Sequence, residues 1–167
     1  MTKLPAIGEA RLGDHLDCVS MFTFFAAFSR FEYALKSVGL RMAPRNTSDA
    51  AEPDWDRFAS TISADFKARL NADESLRTAV DELVKEPPKK QLHDLSWVDV
   101  PPQGDACGAH NVILIARRVR NNLFHGGKAE RQTSDVVRDN QLVEYTLVVL
   151  DRALACHDGV RTRFVEA

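Results

Sequence analysis

Apolar residues recur every three to four positions along most of the chain, and prolines and glycines cut that pattern into helix-length blocks. The first block runs from about Asp14 to Val38. Its first half (Val19, Met21, Phe22, Phe24, Phe25, Phe28) is apolar nearly all round, which predicts a helix covered on more than one side. Its second half narrows to a stripe of Phe28, Phe31, Leu35 and Val38. There Glu32 and Lys36 stand four apart in the favourable order for a surface ion pair, and Gly39 fits a C-terminal cap.

Met42 to Pro53 reads as a loop. Asp54 then caps a second helix with Trp55, Phe58, Ile62, Phe66 and Leu70 on one face. A shorter third helix carries Leu76, Val80, Leu83 and Val84, and Pro87-Pro88 stops it. The stretch from Pro87 to Gly104 is too long for a plain connector, so Trp97 is expected to pack it onto the bundle. A fourth helix runs from near Asp105 to about Phe124 with Val112, Ile115, Ala116, Val119 and Leu123 inward, and Gly126-Gly127 ends it. Thr133 or Ser134 opens a fifth, with Val136, Val143, Leu147, Leu150 and Leu154 on one face. It ends near His157-Asp158-Gly159, and a short basic tail follows. No segment alternates with period two over a useful length. Trp97 to Val100 is the one competing strand, limited by Pro101-Pro102. The expectation is an all-α bundle of four or five helices forming one domain over residues 1–167.

Composition changes this picture little. With 44% hydrophobic and 28% charged residues and a formal net charge of -2, no global positive field draws the chain to nucleic acid. Any RNA contact must come from a local patch. Cys18, Cys107 and Cys156 form no CxxC pair and read as reduced thiols, not as a disulfide framework or a zinc site. His15, His93, His110 and His157 have no acidic or thiol neighbours at ligand spacing, so no metal site and no cofactor is expected. Residues Met1 to Asp14 lack a signal-peptide pattern, and the apolar run Cys18 to Phe28 is about half a bilayer span. No membrane association and a cytoplasmic location are the expectation.

One segment carries chemistry: Arg117-Arg118-Val119-Arg120-Asn121-Asn122-Leu123-Phe124-His125-Gly126-Gly127-Lys128. Polar groups crowd the end of a helix that is otherwise apolar on its inner side. On a regular helix Arg120 lies roughly 80° from Val112, at the edge of the core stripe, while His125 lies roughly 140° from Arg120. The two side chains diverge. They cooperate only if the Gly-Gly end lets His125 swing, or if a second copy of the motif faces the first across a dimer axis, for which the apolar first helix supplies a candidate face.

Arg120 to His125 matches the Arg-x4-His form of the motif of the HEPN superfamily, and the polar Asn121 after the arginine fits that family. The string Arg-Asn-Asn-Leu-Phe-His-Gly-Gly-Lys from Arg120 to Lys128, with Ser29 to Lys36 in the first helix, resembles a prokaryotic, toxin-like HEPN subfamily. The resemblance implies a HEPN-like up-and-down bundle, a homodimer whose two motifs converge in one cleft, and metal-independent RNA cleavage. Under it, Arg120, Asn121 and His125 are the catalytic candidates, and Arg117, Arg118, Asn122 and Lys128 hold the RNA backbone. RNA supplies its own nucleophile, the 2′-hydroxyl beside the scissile phosphate. Histidine transfers protons near neutral pH, and arginine forks onto phosphate oxygens. The expected products are 2′,3′-cyclic phosphate and 5′-hydroxyl ends, as in a toxin or antiviral effector. An antitoxin or a nucleotidyltransferase partner is also implied. However, the tyrosine that some HEPN toxins carry two residues after the motif histidine is replaced here by Gly127.

Plainer readings stand beside this one. A histidine at a helix C-terminus is often only a cap, and Arg117 and Arg118 suit a solvated basic last turn. Glu32 reads as the partner of Lys36, beside a sharper alternative, from the resemblance, that puts Arg30 or Glu32 near the cleft. The alternative function is a non-catalytic HEPN module that docks a partner protein or a nucleotide in the same cleft.

Overall fold

The computed structural model describes residues 18–46, 48–124 and 133–167. Six helices and one small hairpin follow in the order α1 (Cys18–Ser37), α2 (Trp55–Ala72), α3 (Glu74–Lys85), β1 (Lys90–Gln91), β2 (Trp97–Val98), α4 (Ala109–Phe124), α5 (Thr133–Leu154) and α6 (Asp158–Glu166). The mostly helical architecture agrees with the pattern. α5 touches α1, α2, α3, α4 and α6, and so forms the axis around which the others pack.

Aromatic residues at helical spacing build one end of the core. Phe28 and Phe31 of α1 meet Trp55 and Phe58 of α2, with the Phe31 and Trp55 rings stacked 5.3 Å apart and Phe31 edge-on to Phe58 at 5.3 Å, and Phe24 packs on Phe28. Phe164 of α6 closes the cluster 6.2 Å from Phe31. The other end is aliphatic, with Ile62, Leu76, Val80, Leu83, Val112, Ile115 and Val143 all buried.

Local signals set the boundaries. Gly39 adopts φ 85°, a left-handed conformation that suits glycine at a helix end. Asp54 caps α2 by accepting the Arg57 N–H at 2.9 Å. Asp73 serves two helices: its backbone N–H closes α2 on the Arg69 carbonyl, and its carboxylate caps α3 on the Leu76 N–H at 3.1 Å. Arg152 of α5 reaches the same carboxylate at 2.7 Å and, with the Leu76 N–H, holds its pKa below 3.8.

Several expectations are corrected. The basic tail after Gly159 is helix α6, because His157 caps it through Nδ1 on the Val160 N–H at 3.3 Å. The fourth helix starts at Ala109, not near Asp105, since Asn111 turns back to bond the Gln103 and Asp105 carbonyls. Trp97-Val98 does form a strand, of two residues only, paired antiparallel with Lys90-Gln91. The early part of α1 is not covered on all sides within one chain: Phe24 is fully buried, but Phe22 is 76% exposed. Among the described residues no helix is long and apolar enough to cross a membrane. Cys107 and Cys156 are free, and burial pushes both thiol pKa values up. The side chain of Cys18 lies outside what is described.

Candidate functional site

Helix α4 presents three faces. Val112, Ala116 and Val119 point into the core and are buried. Roughly 120° round the helix, Asn111, Arg118 and Asn122 form a second face that grips the preceding segment. Asn111 Nδ2 donates to the Gln103 and Asp105 carbonyls, Arg118 Nη1 to the Val100 carbonyl at 3.1 Å, and Asn122 Nδ2 to the Lys89 carbonyl at 2.8 Å. These bonds hold both ends of the β1–β2 hairpin against the helix. Burial lowers the pKa of Arg118, which nevertheless stays cationic at neutral pH.

The third face holds Arg117, Arg120 and Asn121. They line a cleft of about 210 Å³ whose other walls are Phe28 and Glu32 of α1, Trp55 of α2, and Glu52 and Pro53 of the preceding loop. Arg120 is held from several directions. Its Nη1 donates to Asn121 Oδ1 at 3.0 Å, its Nη2 lies 4.0 Å from Glu32 Oε2, and its guanidinium carbon sits 5.8 Å from the centre of the Phe28 ring. The ion pair is partly solvated, with the two side chains 37% and 26% exposed, so it contributes under about 1 kcal/mol to stability. Its geometric effect is larger, because it fixes a rotamer-rich cation at the cleft wall.

The structure therefore divides the polar residues of this helix end. Arg117, Arg120 and Asn121 share a cleft, whereas Arg118 and Asn122 bond the backbone of the hairpin segment. His125 and Lys128, with Gly126 and Gly127, lie outside the described residues; Phe124, directly before His125, is the last residue of α4.

Of the two carboxylates at the cleft, Glu32 follows the alternative reading and not its pairing with Lys36: it lines the cleft and stands 4.0 Å from Arg120, and an i,i+4 spacing hides such a competing partner on another helix. Its place in the Ser29 to Lys36 segment was the available signal. Arg30 in the same segment turns instead toward α6, over the Phe164 ring at 5.8 Å. Glu52 gave no sequence signal, since a loop carboxylate has no periodicity to locate it. Elsewhere His110 bonds the Ser60 hydroxyl at 2.9 Å and links α4 to α2. Among the described residues no three His, Cys, Asp or Glu side chains come together as a metal-ligand group.

The cleft can bind an anion between two guanidinium groups and offers carboxylate acceptors beside them. In comparisons with known proteins, no family profile, no curated protein and no solved structure matches this chain.

Proposed function

We propose that this chain is a HEPN-type endoribonuclease that cleaves RNA by attack of the substrate's own 2′-hydroxyl, without a metal ion. The observation that carries the reading is the gathering of Arg117, Arg120 and Asn121 in one cleft at the end of α4, the helix that leads directly into His125.

In this reaction the 2′-oxygen forms a bond to phosphorus and the bond from phosphorus to the 5′-oxygen breaks. One group takes the 2′-hydroxyl proton and another protonates the departing 5′-oxygen. His125 fills a proton-transfer role, and the two copies in a homodimer share acid and base duties. Arg120 forks onto the non-bridging oxygens as charge builds in the phosphorane. Asn121 and Glu32 are positioning residues for Arg120. Arg117 holds a phosphate of the RNA backbone, and Lys128 extends that contact. The cellular role that fits is a toxin or antiviral effector.

The test is RNA cleavage in EDTA by wild type, His125→Ala and Arg120→Ala, with end-group analysis. Wild type should leave cyclic phosphate ends. His125→Ala should be inactive, and Arg120→Ala should lose about 10²–10³ in kcat, the usual cost of removing one transition-state donor. Products with 3′-hydroxyl ends, or activity only with magnesium, would sink the mechanism. Inactivity of the wild type across several RNAs would favour a module that only binds.

A further inference from the structure

Beside the motif cleft lies a second concavity, inside the loop between α1 and α2. The loop leaves and returns at one place: Arg41 and Pro53 form an antiparallel bridge, the Met42 N–H donates to the Glu52 carbonyl at 2.9 Å, and the Asp54 N–H donates to the Leu40 carbonyl at 3.0 Å. Asp49 Oδ2 accepts the N–H groups of Arg45 and Asn46 at 2.7 and 3.0 Å and sets the curve of the loop. The hollow measures about 260 Å³, with Met42, Ala43, Pro44 and Ala50 as apolar walls and Arg45, Asp49 and Glu52 as its charged ones. Glu52 lines this hollow and the arginine cleft alike, so it stands at the passage between them.

The chemistry of the hollow is specific. Asp49 is engaged by backbone N–H groups, while the Glu52 carboxylate has no hydrogen bond or ion pair with any described residue. A carboxylate only accepts, so its complement is a pair of adjacent donors. Among RNA bases, guanine alone presents two adjacent donors, N1–H and the N2 amino group, on its Watson–Crick edge. Adenine and cytosine place one amino group next to a ring acceptor, and uracil places one N–H between two carbonyls. Apolar walls suit the faces of a flat base. The volume lies below the roughly 300–1,000 Å³ of pockets for larger ligands, as fits a single base. Arg45 also lines the hollow, but the two carboxylates Asp49 and Glu52 outnumber it and leave the lining net negative, which makes the hollow a poorer phosphate site than the cleft of Arg117 and Arg120.

We infer that the loop hollow is a guanine-reading subsite, in which Glu52 accepts from the base of the nucleotide that flanks the phosphate held at Arg117 and Arg120. The inference rests on the ribonuclease reading of the cleft, and it adds sequence preference to that reading.

The test separates the two. Short single-stranded oligomers carrying a 2′-deoxy sugar at the cleavage junction cannot be cleaved, so their binding can be followed by fluorescence anisotropy. They should carry guanosine, inosine or adenosine at the position flanking the junction. Wild type should bind the guanosine oligomer on the order of tenfold tighter than the adenosine one, with inosine, which lacks the N2 amino group, in between. Glu52→Gln should bring the three to parity, because an amide offers one acceptor and one donor. Equal binding of all three by wild type, or an unchanged preference in Glu52→Gln, overturns the subsite even if RNA is cleaved as proposed. A guanine preference that depends on Glu52, in a protein that cleaves no RNA, supports the subsite and removes the nuclease reading. Failure to bind any oligomer removes both.

Discussion

At the scale of single residues, Glu32 decides how Arg120 is presented. Under the proposed reaction, the Glu32 carboxylate beside Arg120 would do two opposed things. It would repel an incoming RNA backbone, and it would keep the guanidinium in one place against the Phe28 ring. The first effect acts on substrate binding and the second on the geometry needed at the transition state. Glu32→Gln should therefore lower kcat by about tenfold, or about 1.4 kcal/mol, without raising KM. Steady-state kinetics on one defined RNA checks this; a rise in KM at constant kcat would show that Glu32 contacts the substrate instead. Sequence pattern singled out Arg120, because a motif of fixed spacing at a helix end stands out from its surroundings. It did not locate the Glu32–Arg120 pairing, because contacts between helices far apart in sequence leave no periodic trace.

At the scale of elements, the helices were legible where one face had a single task. α2 follows its stripe of Trp55, Phe58, Ile62 and Phe66, and its Asp54 cap, without departure. α4 was read less completely because it has three tasks. Its core stripe was clear, but Arg117 and Arg118 are neighbours in sequence and diverge by about 100°, one to the cleft and one to the hairpin. α6 was missed because its start depends on a histidine cap, a residue rarely used there. The junction of α2 and α3 offers a sharp test of an element boundary. The folded state lowers the Asp73 pKa through Arg152 and the Leu76 N–H. A lowered folded pKa means stability that is present above the ordinary value of 3.8 and is lost as pH falls through the folded value. Asp73→Asn keeps a capping acceptor and removes the charge, so it should lower Tm at pH 7. The gap to wild type should close as the pH falls below 4. A gap of constant size down to pH 2.5 would show that the charge of Asp73 contributes nothing.

At the scale of the whole molecule, the pattern gave the helical class because apolar stripes dictate mutual burial. It left open what covers the outer side of the first helix, since an all-round apolar segment looks the same whether that side meets its own chain or another. Phe22, 76% exposed on α1, is the residue that separates these cases. In a homodimer formed through this face, Phe22→Glu would place a charge in an apolar contact and shift the protein to monomer. Sedimentation velocity at matched concentrations reads this directly. A wild type that is monomeric at micromolar concentration would remove the shared-histidine arrangement, and with it the division of acid and base roles between two chains.

The grip of α4 on the β1–β2 segment has an evolutionary consequence. Asn111, Arg118 and Asn122 bond the carbonyls of Lys89, Val100, Gln103 and Asp105. A main-chain carbonyl is the one group that every residue type shares, so these bonds persist whatever side chains the segment carries. Selection is thereby concentrated on one partner: the helix must keep its donors, while the hairpin is free to diversify. Its outermost residues, including the 72%-exposed Leu95, can drift without loosening their attachment to α4. The fold thus lets the hairpin change its side chains while α4 keeps its donors, an arrangement in which new surface recognition can arise by mutation without unseating the hairpin.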